Sequence, residues 1–309
     1  MNALVGYTGF VGSNIYAAGE FDAAYNSKNI EEAYGTNPEL LIYAGLKAEK
    51  YLANLFPEKD MELIVQAEDN IAKINPKRLV LISTIDVFKI PRGVDETFEI
   101  EAKGLNAYGY NRYQLELWVR ERYSDALIIR LPGLFGKNIK KNFIYDYINR
   151  TPFMLSKEKM EELNKKEKEL NRYYILQENG FYKARDLSDL EKQMLKEKFQ
   201  KIGFSALSFT DSRSIYQFYN LGRLWQDIQT ALKAGIRLWH PATEPVSVGE
   251  LYYYLSGEDF TNELCGVPVH YDYRSIYAEL FGGEDGYIES TSDVKREIKQ
   301  FIGTMGGTR

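Results

Sequence analysis

Tyr108 and Arg112 are the residues most suggestive of chemistry in this chain. They stand four apart in Tyr108-Gly109-Tyr110-Asn111-Arg112, so on a helix they share one face. A guanidinium beside a phenol favours phenolate, and the pair therefore predicts a tyrosine with a lowered pKa acting as general acid/base. Such a tyrosine needs a neighbour to hold the substrate oxygen. Thr84 is the candidate, at the end of the apolar run Leu79-Val80-Leu81-Ile82-Ser83-Thr84. A second constellation opens the chain: Gly6, Thr8, Gly9, Phe10, Val11 and Gly12 form a glycine-spaced turn between an apolar run and a helical pattern. Glycines there let backbone approach a diphosphate closely, and the helix start offers free N–H groups to it. The acidic residue that would hold an NAD ribose is missing, because the chain reads Asn26-Ser27-Lys28-Asn29 after the second apolar run. Lys28 with small polar neighbours suits a 2′-phosphate, which favours NADP over NAD.

The elements that must position these residues follow from periodicity. Residues 3–6, 21–25, 40–44, 78–82 and 126–130 read as buried strands, with helical patterns over 60–73 and 108–122 between them. Strand and helix in alternation predict an α/β, doubly wound parallel sheet covered on both faces. Between the second and third strands only a brief helical turn over 29–33 fits. From 155 to 201 the chain becomes charge-dense with apolar residues at three- and four-residue spacing, which predicts two amphipathic helices. Ser188 and Glu191 make a capping box for the second, and Asn179-Gly180 marks a turn. The expected organisation is a dinucleotide-binding domain over 1–150, a helical insertion over 151–203, which reads as a solvated hairpin with a lid or dimer arm as the alternative, and a smaller mixed substrate lobe over 204–309.

Composition narrows the function. Lysine plus arginine number 39 against 44 aspartates and glutamates, so there is no basic excess for nucleic acid. One cysteine, Cys265, and two histidines, His240 and His270, leave little for a disulfide or a structural metal, and no metal is expected. No apolar run approaches a membrane span, and the start carries no signal-peptide pattern, so the expectation is a cytoplasmic protein.

At this point the chain resembles the extended short-chain dehydrogenase/reductases, a family of nucleotide-sugar epimerases, dehydratases and reductases. Gly6, Gly9 and Gly12 look like that family's cofactor loop. Ser83-Thr84 through Val87-Phe88 looks like its Ser-Ser/Thr-x-x-Val-Tyr strand end, Tyr108 falls at its Tyr-x-x-x-Lys tyrosine, and Arg130-Leu131-Pro132-Gly133-Leu134-Phe135-Gly136 looks like its Arg-x-x-x-Val-Tyr-Gly segment. A looser likeness covers Pro245 to Leu251. The resemblance implies a Rossmann-type fold, a smaller mixed C-terminal substrate lobe, a homodimer, and hydride transfer on a nucleotide sugar by an epimerase or a reductase. It places Thr84, Tyr108 and Arg112 in catalysis, and Ala44, Gly45, Ser83, Leu131 and Pro132 with the glycine loop, Asn26, Ser27, Lys28, Tyr108 and Arg112 around the cofactor. Asp86, Asn142, Arg213 and Arg274 are expected on the substrate side. Two departures stand out. Arg112 replaces the family lysine that also holds the nicotinamide ribose. Ile85-Asp86 stands where sugar dehydratases carry Asp-Glu, which disfavours dehydration. A non-catalytic nucleotide sensor or scaffold of the same fold is the alternative. His240 reads as a satisfied loop histidine, and Lys47 as an exposed helix lysine near the sheet edge; Tyr216, with Arg213, is within conceivable reach of a sugar.

Overall fold

Strand β1 (Asn2–Val5) runs into helix α1 (Phe10–Ala18), and β2 (Ala23–Tyr25) follows. A single 3₁₀ turn, Ile30–Ala33, links β2 to β3 (Leu40–Tyr43), as the short interval predicts. Then come α2 (Lys50–Leu55), α3 (Pro57–Ile74), β4 (Leu79–Thr84), α4 (Ala107–Arg122), β5 (Leu127–Leu131) and β6 (Gly133–Phe135). Proline begins α3 where its missing N–H costs nothing, and Asn75 ends it in the left-handed region. Residues 1–305 are described by this computed structural model, and they divide into two compact units.

The first unit comprises Met1–Asn138, Ile215–Val246 and the segment from Val269. Besides the elements above it holds β10 (Ile215–Tyr216), β11 (Phe218–Asn220), α8 (Leu224–Lys233), β12 (Leu238–Trp239) and α10 (Thr291–Met305). Its six-stranded sheet has the order β12-β5-β4-β3-β1-β2, with every pairing parallel. Because both faces are covered, the strands are apolar on both sides. Leu79 and Leu81 pack with Ile64, Ile71 and Leu115 on one face, and Val80 packs with Ile129, Ile228 and Trp239 on the other. This is the Rossmann-type α/β fold that the alternation of elements predicts.

The second unit comprises Ile139–Ser214 and Ser247–Pro268. It holds α5 (Phe143–Asn149), β7 (Met154–Leu155), α6 (Lys157–Lys166), β8 (Tyr174–Leu176), β9 (Tyr182–Ala184), α7 (Asp189–Lys201) and α9 (Val248–Ser256). The division is thus interleaved rather than consecutive, and the expected break at 203/204 falls inside one unit. Nor is the charged stretch purely helical: β7, β9 and β8 form an antiparallel sheet, and Asn179-Gly180 closes the β8–β9 hairpin rather than a helix pair. Three-residue strands are too short to show a period of two, so the longer helical pattern masks them. The Ser188–Glu191 capping box forms as expected, and Met160, Leu163, Leu170, Leu195 and Phe199 supply the unit's own core.

Candidate active site

At the carboxyl end of β1 the chain turns sharply. Gly6 has φ +92°, and a Cβ on it would lie 2.4 Å from the Ala44 carbonyl oxygen. A Cβ on Gly12 would lie 2.1 Å from the Gly6 carbonyl oxygen, so α1 can seat against the turn only with glycine there. On Gly9 a Cβ would meet nothing closer than 3.3 Å, and Gly9 caps α1 without a side chain. Thr8, Phe10 and Val11 therefore sit at a helix start whose N–H groups no capping side chain takes up. Such a cradle, with Ala44 and Gly45 beside it, fits a dinucleotide diphosphate. Past β2, Asn26 and Asn29 close their own loop: Asn29 Oδ1 accepts from the Asn26 amide at 2.8 Å, and Asn26 Oδ1 from the Lys28 amide at 2.8 Å. Ser27 lies within that closed loop, and Lys28 is exposed.

Two strands away, Thr84 ends β4 and caps the 3₁₀ turn Ile85–Val87, its hydroxyl accepting from the Asp86 amide at 3.2 Å. Helix α4 is pressed against this turn, because a Cβ on Gly109 would lie only 2.1 Å from the Asp86 carbonyl oxygen. Asn106 caps α4, and Asn54 of α2 accepts from the Tyr108 amide at 2.9 Å. That close approach brings the Tyr108 phenol beside the Thr84 hydroxyl, whose nearness favours phenolate. Arg112 lies under the ring, its guanidinium carbon 4.3 Å from the ring centroid.

The electrostatic outcome reverses the sequence expectation. Arg112 does favour phenolate, but burial of Tyr108 outweighs it, Asp86 and Asp60 add to the opposition, and the phenol is pushed up to about 12. Arg112 is itself only 3% exposed, and both of its terminal nitrogens are engaged: Nη1 pairs with Asp60 and Nη2 donates to the Lys47 carbonyl at 2.8 Å. Lys47 thus contributes backbone rather than charge. Asn111 completes the clamp, donating to Asp60 at 2.9 Å.

Behind β4 lies a buried polar network. Ser83, expected at the cofactor, gives its hydroxyl to Glu116 at 2.6 Å. Arg130 binds the same carboxylate through Nε and Nη2, the latter at 2.6 Å, and its Nη1 stands 3.3 Å from His240 Nε2. His240 Nδ1 faces the Arg274 carbonyl at 3.3 Å, and its amide donates to Glu96 at 2.7 Å. His240 is a satisfied core residue. Leu131 ends β5 in register with Thr84, and Pro132 follows.

The residues expected on the substrate side are divided between the two units. Asp86 stands at the site, bonded to Lys50 and Tyr271. Arg274 lies over the Tyr287 ring at 3.8 Å. In the second unit, Asn142 caps α5 by accepting from the Ile144 and Tyr145 amides, and Arg213 pairs with Asp211 and Glu263. Asp60, Lys50, Gly109 and Tyr271 were not foreseen. Lys50 carried one signal, its place in the segment just past β3 at the carboxyl edge where ligands bind; the others become neighbours only through tertiary packing. Among the described residues, no three His, Cys, Asp or Glu side chains cluster to hold a metal, and no helix is long and apolar enough to cross a membrane.

The fold has many solved counterparts. A dTDP-4-dehydrorhamnose reductase from Bacillus anthracis in complex with NADP superposes with a TM-score of 0.62 at 16% identity, covering 98% of each chain. The enzyme of that name from Yersinia enterocolitica gives 0.64 at 14% identity, again over 98% of each. A UDP-N-acetylglucosamine 4-epimerase from Methanobrevibacter ruminantium in complex with UDP-N-acetylmuramic acid gives 0.64 at 11% identity, over 100% of this chain and 99% of the other. No protein-family model matches the sequence, and a search of curated protein sequences finds no match.

Proposed function

We propose that this protein is an NADP(H)-dependent reductase acting on a keto group of a nucleotide sugar. The observation that carries this reading is the buried Tyr108 phenol beside the Thr84 hydroxyl at the carboxyl edge of β4, two strands from the glycine turn that follows β1. The glycine turn and α1 start would hold the diphosphate, Lys28 the 2′-phosphate, and Ala44, Gly45, Leu131 and Pro132 the remainder of the cofactor. When bound, the cofactor supplies the hydride to the carbonyl carbon. Thr84 and Tyr108 hold the carbonyl oxygen, and Tyr108 delivers the proton that turns it into a hydroxyl.

Burial opposes phenolate at Tyr108, so the phenol is protonated at neutral pH, as an unperturbed tyrosine also is. An epimerase must begin by removing a hydroxyl proton, which calls for phenolate. With Arg112 bound to Asp60 and the Lys47 carbonyl, the cation that would stabilise phenolate acts only through the ring face. The reductive direction is taken from the counterparts named as dTDP-4-dehydrorhamnose reductases. Fold coverage of 98% and 100% of this chain by an NADP-bound and a sugar-nucleotide-bound counterpart supports the class of reaction.

The test is calorimetric binding of NADPH and NADH, with NADPH oxidation followed on dTDP-4-dehydrorhamnose. NADPH should bind more tightly than NADH, and Tyr108→Phe should keep that binding while lowering kcat ~10²- to 10⁴-fold. Cofactor binding with no NADPH oxidation by either the wild type or Tyr108→Phe would replace this reading with a non-catalytic nucleotide sensor.

A further inference from the structure

Beside Tyr108, the carboxyl edge carries a polar group that the proton transfer does not use. Lys50, the first residue of α2, places Nζ 2.7 Å from Oδ1 of Asp86. Tyr271 donates to the same Oδ1 at 2.6 Å, and Lys50 Nζ donates to the Tyr271 hydroxyl at 3.3 Å. Tyr271 is backed by Tyr216, the two rings stacked at 5.9 Å between centroids. Three segments distant in sequence thus meet two residues past Thr84.

Counting valences shows what this group lacks. An ammonium has three protons, and Lys50 uses two of them on Asp86 and Tyr271. Both bonds to Asp86 fall on Oδ1, which leaves Oδ2 for another donor. Lys50 is 45% exposed and Asp86 18%, so the spare donor and the spare acceptor both reach solvent. Burial and the nearby Asp86 hold Tyr271 protonated, so it stays a donor. A lone lysine would attract an anion, but here Asp86 cancels the charge. One donor beside one acceptor, with no net charge, matches two neighbouring hydroxyls better than a phosphate or a carboxylate.

We propose that Lys50, Asp86 and Tyr271 form a diol-binding subsite that grips adjacent hydroxyls of the sugar ring next to the carbon facing Tyr108. One hydroxyl donates to Oδ2 of Asp86, and its neighbour's oxygen accepts from Nζ of Lys50. Tyr271 orients the pair without touching the sugar. The proposal rests on the reductase reading only in taking Tyr108 to mark the reacting carbon. It makes the substrate class a neutral hexose with a vicinal diol, and Lys50 its specificity-determining residue.

The experiment compares UDP-glucose with UDP, and dTDP-glucose with dTDP, by calorimetry on the whole protein, with NADPH titrated in parallel. The wild type should prefer at least one sugar nucleotide over its bare diphosphate ~10-fold or more, the effect of one or two charge-assisted hydrogen bonds. Lys50→Met and Asp86→Asn should each bring that ratio near one while leaving diphosphate and NADPH affinities in place. Tyr271→Phe should lower it a few-fold. Lys50 is exposed, so its variant is expected to melt like the wild type and to keep the test readable if Asp86→Asn unfolds. The proposal is overturned if the wild type binds each pair equally or not at all, or if Lys50→Met leaves the ratio unchanged. Loss of NADPH binding with the sugar ratio intact would instead sink the reductase reading and leave the diol subsite standing.

Discussion

The two parts of the carboxyl edge are built from different materials. At the end of β1 the glycine turn is almost all backbone, fixed by contacts that leave no room for a Cβ on Gly6 or Gly12. At the end of β4 the Tyr108 cluster is almost all side chain, assembled from α2, α3, α4 and the turn after β4, and governed by burial and charge. The first is a steric device with no titratable part. The second sets a protonation state, and each charged neighbour moves it: Arg112 pulls the phenol down, while Asp86 and Asp60 push it up. A shape-determined region and a charge-determined region should therefore fail in distinct ways.

The largest expected effect is in the charged region. Asp60→Ala leaves the Arg112 guanidinium buried without its carboxylate and removes a partner of Asn111. Breaking one side of a buried pair costs about 3–5 kcal/mol, to be read from the denaturant midpoint. The same change removes a charge that holds Tyr108 up, so a spectrophotometric titration should place the phenol below about 12. A loss under ~1 kcal/mol would mean that the pair is solvated, and the contrast between the two regions would collapse.

Next in size is Gly12→Ala in the steric region. The new methyl would sit 2.1 Å from the Gly6 carbonyl oxygen, so the turn or α1 must shift. Overpacking of this kind costs about 3 kcal/mol at its upper end. Calorimetry should also show NADPH binding lost, and neither loss should vary with pH. A pH-dependent loss would show that charge acts at the turn as well.

That contrast also explains what could be read from the sequence. The glycine turn is local: seven consecutive residues, an apolar strand before and a helix after, so Gly6, Gly9 and Gly12 announce themselves. The sheet was legible for the same reason, because buried parallel strands such as β4 open with unbroken apolar runs, Leu79 to Ile82 there. Tyr108, Arg112 and Thr84 were legible as residues but not as a charge state. The sign of the Tyr108 shift depends on how deeply α4 is buried and on Asp60, 48 positions earlier on another helix. No spacing rule connects Lys50 to Tyr271, or Asp60 to Arg112. The β7-β9-β8 sheet was hidden by strands of two and three residues.

The smallest effect tests how far the charge-determined region extends behind the sheet. The partners of His240 fix its state: the Arg130 guanidinium can only donate, so Nε2 accepts, and the Arg274 carbonyl can only accept, so Nδ1 donates. The ring is therefore neutral, and a second proton would have to point at Arg130. Burial first, and then Arg130, lowers its pKa from 6.5 to about 3. A histidine held neutral in the fold contributes its full stability above the unfolded value of 6.5. As pH falls from there toward 3 the unfolded chain binds a proton that the folded chain refuses, and stability drops by ~1.4 kcal/mol per pH unit. Glutamine keeps a donor and an acceptor but does not titrate, so in His240→Gln the loss between pH 7 and pH 5 should be about 2 kcal/mol smaller than in the wild type. Parallel denaturant curves at those two pH values measure the difference directly, with the contributions of Glu96 and the other acids common to both proteins. Equal acid losses would place the His240 ring in contact with water, and would confine the charge-determined region to the front of β4.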